Sequence, residues 1–591
     1  MGRRQVVLLL LCTAVLGGGP SLKDLFDPAA AEFPLRTYGW SEWRKLPPAE
    51  KKRSRGVDPE KWLNPPPDKE DDEKKEPKKD PDPGGRKPKA KQQDPPGRYP
   101  GFRFEQRLQE KQAAFNQLVG PGAPSTVDGL IKQLKRIDRA ELKIEKLLAP
   151  VNEDYAKVKK QVDKATEVQV RNYKKRHGGK LPDQVLLSRS LLNDFNKKSK
   201  LLQKTIALMQ SEHQFHDWVV VRVGELLAAL QPAERVRPIA GLKAGALGKS
   251  WQHRIRCGQL LATLDDPAAR EVFRAALAAE QDPIVLRAHV EVAARARIPG
   301  LLDLLKERLA DANWPVRAAV IEALAEQRTK EAVDLLIAQL DKEKGQGRLQ
   351  DDLVDALARL CGRRMEPDSA TWRLWWDKAR ATWTPPKETE AAGEQGSDED
   401  GVYFYGIRTR SKRIVFCIDI SGSMELPLDG RNGKKPPRIQ RAKVELIKAL
   451  NALRPDCSFA IVVYNAKVSS WNQGKMKLAT AKTKKTARKY VENLEPLGAT
   501  NIFDALVTSL RVAGPPRGKN KEPRGDTIFF LTDGQPTHGR IVDAMQILQE
   551  ITRLNRQYGV VIHTVGVSKE QNAGFLLNLA KRNRGQYVAY K

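Results

Sequence analysis

The 591-residue chain carries a formal net charge of +31, so it is too long for one hydrophobic core and too basic to be indifferent to polyanions. The charge is uneven: residues 1–250 and 411–591 each hold a net +17, whereas residues 251–380 hold 21 basic and 21 acidic side chains. Five cysteines without close spacing argue against both a thiolate-metal site and a disulfide-stapled scaffold.

The chain opens on "MGRRQVVLLLLCTAVLGGGPS". Arg3 and Arg4 precede an apolar run from Val6 to Leu16 and then small residues. This pattern predicts a secretory signal peptide over residues 1–19, too short to span a bilayer. The mature chain is therefore expected in an exported space (periplasm, cell envelope or medium), with no transmembrane segment. Residues 20–100 are rich in Pro and charge, as in "PPPDKEDDEKKEPKKD", and are expected to form a disordered tether.

From 101 to 248 the apolar spacing becomes helical. Leu130, Leu134, Ile137, Leu142 and Leu147 recur three to five residues apart between charges, predicting a coiled-coil-like stalk or small bundle. Pro150, Gly178, Gly179 and Pro182 are expected to interrupt it. Over residues 249–384 a repeat appears, with Arg256, Arg287 and Arg317 marking a period of about 30 residues. Two amphipathic helices per unit cannot each bury a face alone, so neighbours should stack into a solenoid. Its pattern resembles HEAT repeats. Trp372, Trp375 and Trp376 at helical spacing are expected to cap the array. An acidic linker follows over residues 385–401.

Residues 402–591 alternate apolar strands with amphipathic helices, the pattern of an α/β, doubly wound, Rossmann-like domain with a parallel sheet covered on both faces. The fold class is thus multidomain: an all-α region and α-solenoid, then this α/β domain. In such a sheet ligands bind beyond the carboxyl ends of the strands. The first strand, "RIVFCIDI", ends on Asp419, followed by Ser421 and Ser423. Asp533 follows "TIFFLT", and Thr500 lies in the loop "LGATN". Two carboxylates and three hydroxyls are hard oxygen donors that suit a hard cation. Gly422 is expected to allow the tight turn between the two serines.

This set resembles the von Willebrand factor A domain and its metal-ion-dependent adhesion site. The resemblance implies that Ser421, Ser423 and Thr500 bind the ion directly, and that Asp419 and Asp533 act directly or through water. It implies Mg²⁺, with Mn²⁺ or Ca²⁺ as alternatives. Integrin-type relay is not expected, since no helix follows the last strand. The loop 425–438 is expected to hang Lys434, Lys435 and Arg438 near the site.

Enzymatic signatures are missing from the sequence: there is no G-x-S-x-G elbow, P-loop or HExxH, and His538 and His563 have no triad partners. The expected function is therefore non-enzymatic: a metal-dependent protein-binding or adhesion module that captures an Asp or Glu carboxylate of a protein partner. An acidic polysaccharide is the alternative ligand, and nucleic acid is not expected. Two other readings stand beside it. One is an RNA-binding protein, because the order of HEAT-like repeats and such a domain is similar to the Ro autoantigen. The other is an envelope scaffold with an incidental metal site.

Overall fold

The structure is a computed structural model that describes residues 100–120, 124–177, 187–345, 347–386, 401–428, 435–514, 524–568 and 571–590. The predicted leader, nearly all of the tether and most of the acidic linker lie outside these residues. The chain divides into two compact units, with the boundary between Leu226 and Leu227. No helix among the described residues is long and apolar enough to cross a membrane.

The first unit consists of α1 (Pro100–Val119), α2 (Pro124–Arg176) and most of α3 (Arg189–Ala229). Leu130, Leu134 and Ile137 of the apolar stripe of α2 are buried as the spacing predicts, and Leu147 is half-buried. Phe115 of α1 packs edge-on against Phe215 and Trp218 of α3. Beside them the Lys111 ammonium lies 2.6 Å from Glu212, a pair that is almost fully buried. Pro150 does not interrupt α2, which runs 53 residues through it. Proline forfeits one backbone hydrogen bond, and here the buried neighbours Val151 and Tyr155 hold the helix across the gap. The glycines at 178–179 and Pro182 lie outside the described residues.

The second unit begins with paired helices: α4 (Val236–Ala246), α5 (Trp251–Thr263), α6 (Pro267–Ala279), α7 (Pro283–Arg295), α8 (Leu301–Arg308), α9 (Trp314–Gln327), α10 (Lys330–Lys342), α11 (Arg348–Cys361) and α12 (Ser369–Ala379). Most start on an N-cap whose side chain accepts a backbone amide, as Asp266 does for Ala268 and Ala269. The repeat register differs from the one expected. Arg254, not Arg256, is the counterpart of Arg317, each being the fourth residue of a helix that opens on tryptophan. Arg254 Nε donates to Glu280 at 2.9 Å and Arg317 Nε to Glu343 at 2.8 Å, while Nη1 of each caps a carbonyl of the preceding turn. The tryptophans do cap the array: Trp372 is buried, and Trp376 Nε1 donates to Asp334 of α10 at 2.6 Å.

The α/β part starts with a hairpin that sequence periodicity did not reveal, β1 (Val402–Phe404) and β2 (Ile407–Thr409). Phe404 packs on Phe416 and Phe529 and closes the core at that end. The main sheet has the order β5-β4-β3-β7-β8-β9, with β6 also beside β4. Its strands are β3 (Arg413–Asp419), β4 (Ser458–Tyr464), β5 (Val468–Ser470), β6 (Lys477–Leu478), β7 (Thr527–Thr532), β8 (Val561–Val567) and β9 (Tyr587–Tyr590). Five run parallel as expected, but β5 and β6 are short and antiparallel to β4. The covering helices are α13 (Arg438–Ala452), α14 (Ala481–Glu492), α15 (Ile502–Ala513), α16 (Ala544–Tyr558) and α17 (Ala573–Arg582).

The solenoid meets the sheet at the amino ends of the strands. Arg348, the first residue of α11, is buried and donates Nη1 to the carbonyls of Asp526 and Gly559, just ahead of β7 and β8. The Trp314 ring lies 4.8 Å from the Arg348 guanidinium and 5.5 Å from that of Arg413, which begins β3. Asp351 of α11 accepts both the amide and the guanidinium of Arg410, at 2.7 and 2.8 Å. The carboxyl ends of the seven-residue strands stand roughly 20 Å away.

His563 of β8 belongs to this junction. It stacks on Phe529 at 4.9 Å and accepts the Gln586 amide at 3.0 Å. Burial, and then the Arg348 charge, push its pKa down to about 3. A folded value below the unfolded one near 6.5 means that the unfolded chain binds the proton first. Stability should therefore fall as pH drops from about 6.5 towards 3, by at most roughly 5 kcal/mol from this group. Chemical unfolding at pH 7.5 and 4.5 should show His563→Gln losing less stability on acidification than the wild type. Equal losses would assign the acid sensitivity elsewhere.

Candidate metal centre

The carboxyl edge of the sheet gathers all five expected donors. Asp419 ends β3 fully buried: its Oδ1 accepts the Ser421 amide at 2.8 Å and its Oδ2 the Thr532 hydroxyl at 2.7 Å. The Ser421 and Ser423 hydroxyls lie 3.1 Å apart, and Ser423 Oγ donates to Asp533 Oδ1 at 2.8 Å. Thr500 joins from the loop before α15. The Thr537 and His538 amides donate to its carbonyl, and its own amide donates to the Thr537 hydroxyl at 2.9 Å. The Thr500 hydroxyl has no hydrogen-bond partner among the described residues. His538 thus enters through its backbone.

Two local features hold this cluster. The amide of Gly422 donates to Gly498 O at 2.9 Å, joining the serine loop to the threonine loop. Gly422 does not adopt the left-handed conformation, and a Cβ there would stand 3.4 Å from the Gly498 carbonyl, an ordinary contact, so neither backbone conformation nor crowding requires glycine at this turn. Gly498 is the residue with a left-handed φ, +80°, which turns that carbonyl inward.

Arg438 lies at the site as expected, but its burial and its pairing with Asp533 were missed from sequence. Its side chain is 1% exposed, and Nη1 donates to Asp533 Oδ2 at 2.8 Å. It therefore neutralises one of the two carboxylates from inside the protein, while Lys435 is exposed and Lys434 lies outside the described residues. The reason is the helix start: Arg438 is the first residue of α13, directly after Pro436-Pro437. A cation in a first turn faces the positive end of the helix dipole, so it needs an anion, and Asp533 is that anion. The arginine in the opening turn was the available signal.

The electrostatics state what the site lacks. Burial, and then the Asp533 charge, push the Asp419 pKa up to about 7. Burial also raises Asp533, against the opposing pull of Arg438 and Ser423. Two buried carboxylates thus stand with one internal cation, Arg438, which pairs with Asp533. A hard dication would supply the missing positive charge, and the hydroxyl and carboxylate oxygens are the donors it prefers. The residues present fit such an ion, which Ser421, Ser423 and Thr500 would hold with Asp419 and Asp533 acting directly or through water. The four described cysteines are free thiols; burial drives Cys417, two residues before Asp419, up to about 12.

The comparisons with known proteins agree with this architecture. The family model for the von Willebrand factor type A domain matches residues 414–591, and that for HEAT repeats matches residues 271–358. Inter-alpha-trypsin inhibitor heavy chain H1 of Mesocricetus auratus is 30% identical over 177 residues, 30% of this chain and 18% of the relative. The human heavy chain H4 is 33% identical over 136 residues, 23% of this chain and 13% of the relative. The chain thus spans less than a fifth of the length of these curated relatives. A solved von Willebrand factor type A protein from Catenulispora acidiphila is 18% identical, covers 31% of this chain and 40% of its own, and has a TM-score of 0.26. The α/β unit is accordingly a von Willebrand factor type A domain, carried behind a solenoid of HEAT repeats.

Proposed function

We propose that this chain is a non-enzymatic adhesion module that uses a divalent ion, Mg²⁺ first among the candidates, to capture a carboxylate of a protein partner. The observation that carries the reading is the meeting of Asp419, Ser421, Ser423, Thr500 and Asp533 at the carboxyl edge of the sheet. There, buried oxygen donors outnumber the internal positive charge. Because Arg438 already offsets Asp533, a dication beside Asp419 keeps net positive charge, which favours an incoming anionic oxygen. The solenoid supports the reading by docking at the opposite edge, away from the site.

The leader-like N-terminus supports an exported location, and the segments 20–100, 101–248, 249–384 and 402–591 are taken as tether, helical region, solenoid and binding domain. An acidic polysaccharide would use the same ion. The test is capture by the full chain immobilised in Mg²⁺, with an exported-fraction extract as bait source. Retention of a partner in Mg²⁺, its loss in EDTA, and its loss with Thr500→Ala or with amides at the partner's contacting acids are expected. Retention that ignores EDTA and both substitutions would refute capture through the ion. Salt-sensitive retention of RNA instead would favour the RNA-binding reading.

A further inference from the structure

We propose that the sheet edge beyond β4 carries a second binding surface, a lysine track along α14 that takes a linear acidic polysaccharide. Between Lys467 and Lys489 the chain has eight basic side chains and no acidic one. In the solenoid of the same unit, cations are matched to acids, as Arg254 is to Glu280, Arg359 to Glu322 and Arg380 to Asp334. Along the track, Lys484 is engaged by the carbonyls of Asn451 and Leu453, and Arg488 by Glu492 at 2.8 Å. Lys475, Lys477, Lys482, Lys485 and Lys489 are exposed and form no ion pair among the described residues.

Their spacing makes a ladder. Lys482, Lys485 and Lys489 lie three and four residues apart, so they share one helix face with about one cation per 5.4 Å turn. Lys475 and Lys477 extend the row at its start. β6 pairs with Ser458 and Phe459, the first residues of β4, so α14 begins at the amino edge of the sheet. The segment after it reaches Thr500, whose neighbour Asn501 donates its amide to Asn465 beyond the end of β4. The track therefore climbs roughly 18 Å from the amino edge towards the metal centre. Like charges at these spacings destabilise a helix by a few tenths of a kcal/mol per pair, so folding of α14 does not account for them.

The side chains select the kind of polyanion. Binding of single-stranded nucleic acid relies on free aromatic faces and forked guanidinium groups. Trp471 is instead stacked on Phe459 at 5.2 Å, Tyr490 packs against the core, and the one arginine is paired. Flexible lysines are point charges, suited to separate carboxylates or sulfates along a sugar chain.

The experiment uses the full chain in EDTA, so that the metal centre plays no part, with heparin and hyaluronan oligosaccharides as probes. The triple variant Lys482→Gln/Lys485→Gln/Lys489→Gln should bind at least tenfold more weakly than wild type, with a flatter salt dependence and an unchanged unfolding temperature. A control, Lys157→Gln/Lys164→Gln/Lys175→Gln on α2, removes the same charge and should change binding less than twofold. Equal weakening by both variants, or none by the first, overturns the track. Polyuridylate held more tightly than either glycan, and lost in the first variant, overturns the polysaccharide assignment. Since EDTA is present throughout, failure here leaves ion-dependent capture standing, and failure of that capture leaves the track standing.

Discussion

Replacing Arg438 with glutamine should tighten divalent-ion binding by about tenfold or more, roughly 1.4 kcal/mol, while making the metal-free protein less stable. The guanidinium sits 2.8 Å from Asp533 Oδ2 with both side chains buried, so it opposes a second cation at the same carboxylate. Removing it frees Asp533 for the ion. Without an ion, the substitution strands a buried carboxylate, and breaking such a pair costs about 3 kcal/mol or more. Asp419→Ala should act in the opposite sense: it removes the carboxylate that burial and Asp533 push up to about 7, and with it the ion. Mg²⁺ titration calorimetry and thermal unfolding in EDTA separate the two effects. An Arg438→Gln protein with wild-type affinity would mean that the arginine and the ion do not compete.

The largest loss of stability should come from Arg348→Ala, about 3–5 kcal/mol. This buried arginine carries two carbonyl contacts to the sheet, lies over Trp314 and faces Asp352 at 3.3 Å. Burial already raises the Asp352 pKa, and Arg348 is the chief opposing charge. Truncation leaves that carboxylate and the two carbonyls facing a cavity. Unfolding followed separately by tryptophan fluorescence and by far-ultraviolet circular dichroism should change from one coincident transition to two, because the solenoid and the von Willebrand domain would melt apart. Arg348→Met, which keeps the stem over Trp314, should recover part of the loss. Coincident transitions of unchanged midpoint in Arg348→Ala would show that the junction is held elsewhere.

Local patterns read well, and distant pairings did not. Asp419, Ser421 and Ser423 fall within five residues at the end of a continuous apolar strand, so the strand itself announces where they point. Asp533 and Thr500 follow from the rule that such sites gather at one sheet edge. Arg438 was expected near the site, but as a loop cation; its burial against Asp533 was missed because that partner is 95 residues away. The same limit explains the solenoid register: Arg254 and Arg256 both fit the repeat, and only the pairing to Glu280 distinguishes them. Pro150 shows the converse error, a local rule overridden by burial of its neighbours. β5 and β6 are three and two residues long, below the length at which alternation can be read.

The two ends of the sheet also define a direction for force. β3 is in register with β4 over seven residue pairs and with β7 over five, and β7 and β8 are clamped to the solenoid at their amino ends. Tension applied at the carboxyl edge and resisted by the solenoid runs along the strand axes. It loads those ladders in shear, with their hydrogen bonds sharing the pull rather than opening one by one. A sideways tug at the three-residue β5 would instead peel its few bonds in succession. The domain should therefore be mechanically strongest along the line that joins its binding edge to its mount.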